Sequence, residues 1–266
     1  MANILFLQAH PDDEAIFTGG TIAALSDLGH EITVVFATKG ELGEAPEGQD
    51  VAKVRQAEAI YACSILGAKH VDFLGYSDSG IDSFAFPDNA LALADTALAA
   101  QRLAEILAKR KIDTLFCDDE FGVYGHPDHK KCHEIGFEAA RLHGLDCVME
   151  STIDGEHQHF VETHLLDDAK KHFAIEPGAD LFRPTSTHQH PGLTTVDITS
   201  VVHINGAHLK AKREAMAAHI SQIPPDDTSL QFDKKTFREV YGLEFFRHVP
   251  ISEGHKASNS LLDGLE

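Results

Sequence analysis

Two short segments gather the side chains best suited to gripping a metal ion: Ala9-His10-Pro11-Asp12-Asp13-Glu14 and Tyr124-Gly125-His126-Pro127-Asp128-His129. Imidazole and carboxylate are donors that Zn²⁺ accepts at about 2.0–2.2 Å. His10 and Asp13 sit close together on a turn that opens a helix, so one ion can be held by both. His129 would complete the set from the second segment. Three protein ligands leave a fourth position for water, the arrangement of a catalytic site rather than a structural one. Asp12 then stands free as a general base for that water, whose pKa the metal lowers towards about 7. His126 and Tyr124 can polarise or protonate the departing group, or steady an oxyanion. Asp128 can hydrogen-bond an imidazole from behind. One such segment alone reads equally as a strand-to-helix turn whose Asp caps the helix. Two of them at matching strand ends argue for a shared centre.

The flanking residues supply the frame. The apolar runs 4–7 and 113–117, which precede the two segments, read as strands covered on both faces. Further strands are expected over 32–36, 71–74 and 147–149. Helices are expected over 17–28, 51–66, 91–111, 128–143 and 207–222, the first two closed by Gly29 and Gly67. This alternation predicts an α/β, Rossmann-like open parallel sheet of about five strands with helices on both faces. In such sheets ligands collect at the carboxyl ends of strands near the topological switch point. Both segments therefore meet if the first and fourth strands are neighbours. Residues 151–197, rich in His, Thr, Pro and Gly, predict a mixed insertion or lid in the C-terminal half of a single domain spanning 1–266. Residues 253–266 read as a polar, frayed tail.

Composition removes several classes of function. With 22 Lys and Arg against 42 Asp and Glu the net charge is −20, which argues against nucleic acid, whose binding depends on neutralising phosphates. The basic clusters at 109–111 and 210–213 are short and read as solvated helix ends. A chain that is 43% hydrophobic and 24% charged can bury a core. No apolar run approaches the roughly 18 residues of a membrane span. Residues 1–7 show no basic leader region or cleavage site, so a cytoplasmic protein is expected. The cysteines (Cys63, Cys117, Cys132, Cys147) form no CxxC and read as small buried hydrophobes in a reducing compartment. Histidines number 18 against 16 Phe, which again directs attention to metal. The pairs His157/His159 and His188/His190 fit loop solvation better than extra metal sites. Gly19-Gly20 lacks a dinucleotide fingerprint and reads as close helix packing. Ser79 has no readable His–Asp relay and is set aside as a nucleophile.

At these residues the chain resembles the LmbE-like (PIG-L) superfamily of zinc-dependent N-acetylglucosaminyl deacetylases. Its hallmarks AHPDDE and YGHPDH stand here at 9–14 and 124–129. Arg55-Gln56-Ala57-Glu58 is similar to the family's RxxE, and Tyr76-Ser77-Asp78-Ser79-Gly80 to its Y-R-D-S-G segment. Residues 212–222 resemble its K-x-x-A-x-x-x-H-x-[ST]-Q helix. Ser77 departs from the Arg of some sugar-thiol members and offers no charged fork. The resemblance implies that His10, Asp13 and His129 bind the metal and that Asp12 is the general base. It also implies that His126 and Tyr124 stabilise the tetrahedral intermediate. Arg55 either binds the sugar or pairs with Glu58 along its own helix. Asp78 binds a substrate hydroxyl or merely shapes a turn, and His219 lines the pocket or packs its helix. The implied activity is metal-dependent hydrolysis of the amide of an N-acetylated amino sugar, a small-molecule conjugate, by metal-activated water. The alternatives are a mycothiol-conjugate-type amidase and a non-catalytic metal- or sugar-binding α/β protein. Zn²⁺ is the expected ion, with Fe²⁺ and Co²⁺ accepting similar ligands. The oligomeric state is left open.

Overall fold

In the first strand, β1 (Asn3–Gln8), side chains alternate between two apolar layers. Ile4 and Phe6 join one buried cluster, and Leu5 and Leu7 join another on the opposite face. Both faces of β1 are therefore covered, as its uninterrupted apolar sequence requires. The computed structural model describes residues 1–81, 86–161 and 192–251, together with Leu262 and Leu265.

Five parallel strands carry the expected core: β1, β2 (Glu31–Phe36), β3 (His70–Phe73), β4 (Thr114–Asp118) and β5 (Cys147–Thr152). Helices α2 (Gly19–Asp27) and α3 (Val51–Ile65) cover one face, and α4 (Thr96–Arg110) and α5 (Pro127–His143) the other. Two strands not anticipated from sequence extend the sheet, β6 (Ser200–His203) and β7 (Leu243–Pro250). Among the described residues the order is β3-β2-β1-β4-β5-β7-β6, with β7 antiparallel to both neighbours. β1 lies between β2 and β4, with Ile4 beside Thr114 and Phe6 beside Phe116. The switch point therefore falls between the two strands that precede the segments at 9–14 and 124–129.

Several boundaries differ from expectation for identifiable reasons. The helix expected over 17–28 is two helices, a short α1 (Asp13–Phe17) and α2, broken at Thr18. There the Thr18 hydroxyl donates to the Glu14 carbonyl, and the Gly20 and Thr21 amides donate to Glu244 at 2.8 Å each. The helix expected over 91–111 starts at Thr96, because the Asp95 side chain accepts from the Leu98 amide and caps it. Helix α7 (Gly206–Ala218) stops at His219 rather than running to 222. Gly19-Gly20 does mark close packing, since a Cβ on Gly20 would lie 2.4 Å from Ile204.

In the region read as an insertion, 151–152 belong to β5 and α6 (Gly155–Phe160) follows. The His157 ring lies tilted against Phe245, centroids 5.4 Å apart, while His188 and His190 lie outside the described residues. So does most of the tail. Leu262, however, is fully buried in the core, and the Leu265 carbonyl accepts from the His203 amide; apolar packing holds these two residues where fraying was expected. Two further helices, α8 (Thr228–Gln231) and α9 (Lys234–Tyr241), precede β7. All four cysteines are free, and no described helix is long and apolar enough to cross a membrane.

The Glu244 carboxylate that receives the start of α2 also pairs with Lys212 Nζ at 2.6 Å, each side chain only 1% exposed. Replacing Glu244 with Ala would strand a buried ammonium and two amide donors. Glu244→Ala is expected to lose about 3–5 kcal/mol in urea unfolding.

Candidate metal centre and active site

The first loop leaves β1 at Gln8 and turns at once. His10 and Asp13 are buried, and the Asp13 carboxylate accepts from the His10 amide at 2.7 Å, closing the turn. Asp12 sits at φ +112, a left-handed conformation that costs a non-glycine residue about 1–3 kcal/mol. Glu14 receives the Asp12 amide at 2.9 Å.

The second loop leaves β4 at Asp118. Asp119 Oδ1 accepts from the Phe121 and Val123 amides at 2.8 and 3.0 Å, and Gly122 and Gly125 take positive φ. A Cβ on Gly122 would meet the His126 carbonyl at 2.8 Å, so the tight return depends on glycine there. Helix α5 then begins with Pro127 just inside its start, which puts Asp128 and His129 on its first turn.

The two loops converge. Ligand atoms of His10, Asp13 and His129 all lie within 4.8 Å of one another. Asp13 Oδ2 is 3.5 Å from His10 Nδ1 and 3.4 Å from His129 Nε2. The far nitrogen of each imidazole meets a fully buried carboxylate: His10 Nε2 lies 3.1 Å from Asp128 Oδ2, and His129 Nδ1 lies 3.0 Å from Asp118 Oδ2. Outer carboxylates of this kind fix the orientation of metal-binding imidazoles. A second overlapping group, His10, Asp78, His126 and Asp128, has comparable spacing. Asp128, however, is already engaged by the Ser79 amide at 2.9 Å and by the Ser79 hydroxyl as well as by His10. His10, Asp13 and His129 are therefore the set that could hold a divalent ion. Five aspartates (Asp12, Asp13, Asp78, Asp118, Asp128) crowd this corner, a concentration of buried negative charge that suits a cation.

Charge states follow from the surroundings. Burial would raise Asp13, but the imidazoles of His129 and His10 outweigh it and leave it at about 2. Burial pushes Asp12 up to about 6, against the opposing pull of Arg55. Burial, helped by the neighbouring His10 and His129, depresses His126 to about 3, so its ring is neutral. His126 Nδ1 accepts from the Asp128 amide at 3.1 Å, which leaves the proton on Nε2. Burial also raises Tyr124, keeping its hydroxyl protonated, 3.4 Å from His129 Nε2.

A cavity of about 290 Å³ opens onto this cluster, walled in part by His10, Asp12, Arg55, Asp78, Tyr124 and His126. Arg55 does not pair with Glu58. Its guanidinium donates to the Gly40 and Pro11 carbonyls at 2.8 and 2.5 Å and to Asp12 Oδ2 at 3.0 Å. Glu58 instead accepts from the Ser221 amide and hydroxyl. Asp78 shapes a turn, accepting from the Gly80 amide at 2.8 Å, and its side of the turn lines the wall. His219 is not on that wall: it is fully buried, with Nε2 2.6 Å from Glu14 Oε1. Ser79 holds Asp128, and its hydroxyl also accepts from the Ala92 amide. Sequence reasoning passed over Asp118, Glu14 and Gln222, the last also on the wall. The signal for Asp118 was its place at the carboxyl end of an apolar strand, beside the crevice.

An open sheet with an imidazole–carboxylate cluster at its switch point is the setting in which α/β proteins bind ligands and metals. The family described as GlcNAc-PI de-N-acetylase (PIG-L) matches residues 5–140. The 1D-myo-inositol 2-acetamido-2-deoxy-alpha-D-glucopyranoside deacetylase of Thermobispora bispora is 32% identical over 295 residues, covering 98% of this chain and 96% of that protein. The enzyme of the same name from Actinosynnema mirum is 33% identical over 238 residues, covering 83% and 80%. The fold is shared with the N,N'-diacetylchitobiose deacetylase of Pyrococcus horikoshii, at TM-score 0.60 and 22% identity over 98% of this chain and 88% of that one. The chain belongs to the PIG-L family.

Asp118→Ala is expected to weaken divalent-metal binding at this cluster about 10–100-fold, the usual effect of removing an outer carboxylate. His129→Ala is expected to abolish it. Competition against a chromophoric chelator reads both.

Proposed function

We propose that this chain hydrolyses the acetamide of an N-acetylglucosaminyl conjugate, with an inositol glycoside of the kind named for its relatives as the leading substrate. The observation that carries the reading is the position of Asp12. It lies beside the His10–Asp13–His129 cluster without belonging to it, and it faces the same cavity as Tyr124 and His126. Binding an ion does not require such a carboxylate; activating water does.

His10, Asp13 and His129 would hold the ion, Zn²⁺ being the best fit to two imidazoles and a carboxylate. When bound, it supplies Lewis acidity towards the amide carbonyl and makes water a competent nucleophile near neutral pH. Asp12 takes a proton from the attacking water. With Oδ2 engaged by Arg55 at 3.0 Å, its other oxygen is the one directed to that task. At about 6 its pKa leaves it ionised at neutral pH yet basic enough to accept. The His126 Nε2–H and the Tyr124 hydroxyl donate to the oxygen that gains charge as the carbonyl carbon becomes tetrahedral. The carbon–nitrogen bond then breaks, and the proton held by Asp12 passes to the departing amine, releasing acetate and the free amino sugar. Arg55 and Asp78 on the wall bind sugar hydroxyls.

Purified protein is expected to release acetate from N-acetylglucosaminyl-inositol faster than from N,N'-diacetylchitobiose or free N-acetylglucosamine. Chelator treatment should abolish the activity, and added Zn²⁺ or Co²⁺ should restore it. Stoichiometric metal with no acetate released from any of the three would overturn the reading in favour of a binding protein. Asp12→Asn is expected to lower kcat about 10²–10⁴-fold. His126→Ala should lower it about 10²–10³-fold, as expected on losing an oxyanion donor.

A further inference from the structure

His219 lies off the cavity, yet it connects to Asp12 through a single side chain. Glu14 bridges them with its two oxygens: Oε1 is 2.6 Å from His219 Nε2, and Oε2 accepts from the Asp12 amide at 2.9 Å. We propose that His219 is a positioning residue for Asp12, acting through Glu14 to hold the general base at its working angle; this rests on the deacetylase reading above.

Three observations bear on it. Glu14 and His219 are both fully excluded from solvent, so protein groups orient the Glu14 carboxylate, and the imidazole is the side chain that holds its Oε1. His219 Nδ1 has no hydrogen-bond partner among the described residues, so the ring's bonding is directed at Glu14. Asp12 has a left-handed backbone that its own residue type disfavours, so something outside it must hold that conformation. The amide clamp from Glu14 does so at one end of the residue, and Arg55 fixes the carboxylate at the other.

The imidazole is itself anchored. The chain leaves α7 at His219, and the next residues bond to α3 and to the loop before it. Ser221 bonds to Glu58, and the Gln222 side chain donates to the Glu44 carbonyl at 2.8 Å. A purely structural role, neutralising a buried Glu14, would leave turnover per folded molecule unchanged. A positioning role moves kcat.

The test uses the zinc-loaded full chain and three variants. His219→Phe keeps the ring and removes the donor, whereas His219→Gln restores an amide donor. Glu14→Leu/His219→Phe replaces the buried pair with apolar groups, a change that is often tolerated, and removes the acceptor of the Asp12 amide. His219→Phe and the double variant are expected to lower kcat about 10–100-fold, the scale of a small misplacement of a catalytic group. KM should stay within about twofold and zinc at one per chain, while His219→Gln recovers most of the rate. In an Asp12→Asn background His219→Phe should cause no further loss. Independently of turnover, hydrogen exchange at the Asp12 amide should speed up in His219→Phe and in the double variant. Wild-type kcat and unchanged exchange in these variants, beside an inactive Asp12→Asn, would sink the positioning role alone. Full activity of Asp12→Asn would sink the base assignment beneath it. An equal loss in the Asp12→Asn background, or loss of zinc, would assign His219 to the fold instead.

Discussion

The parallel pairing of β1 with β4 is the constraint on which the rest of the molecule depends. His10 and Asp128 stand 118 residues apart in the chain, and they meet because their two strands are neighbours whose carboxyl ends open on the same side. Each strand is buried on both faces by helices, so neither can slide without exposing an apolar layer. The hydrophobic core thus fixes the distance between the two loops. Precision in the polar cluster is inherited from packing beneath it.

Within that cluster the dominant fact is an excess of buried carboxylates. The aspartates differ in what surrounds them: Asp13 faces two imidazoles, Asp128 binds Ser79 and His10, Asp118 backs His129, Asp78 lies 3.5 Å from His10, and Asp12 leans on Arg55. Environment rather than residue type sorts them into different tasks. Asp12 and Asp13 are adjacent in sequence, yet their pKa values are driven apart, to about 6 and about 2. The histidines are sorted in the same way. The Asp128 amide fixes His126 as a neutral donor, while carboxylates stand behind the rings of His10 and His129.

What could be read from sequence was what is contiguous. The two segments carry their chemistry within six residues each, and the five parallel strands announce themselves as apolar runs. What escaped depends on contacts between distant parts. Nothing local shows that Arg55 reaches Asp12 rather than Glu58, one helical turn away, or that His219 turns inward to Glu14. β7 was missed because its apolar residues are interrupted by Glu244, Arg247 and His248, polar groups that the fold then uses. Glu244 is the clearest case. A buried carboxylate in a strand makes sense only once Lys212 and the start of α2 are seen around it.

The left-handed turn at Asp12 bears on how such a sequence drifts. Glycine would sit there without strain, so the backbone alone would prefer it. Aspartate at that position carries a standing penalty in stability, which selection for a function must outweigh. In a lineage where that function is lost, this is where decay should begin, before either histidine of the cluster changes. A descendant with glycine between an intact His-Pro and Asp-Glu would be better folded than its ancestor, having traded away whatever Asp12 does.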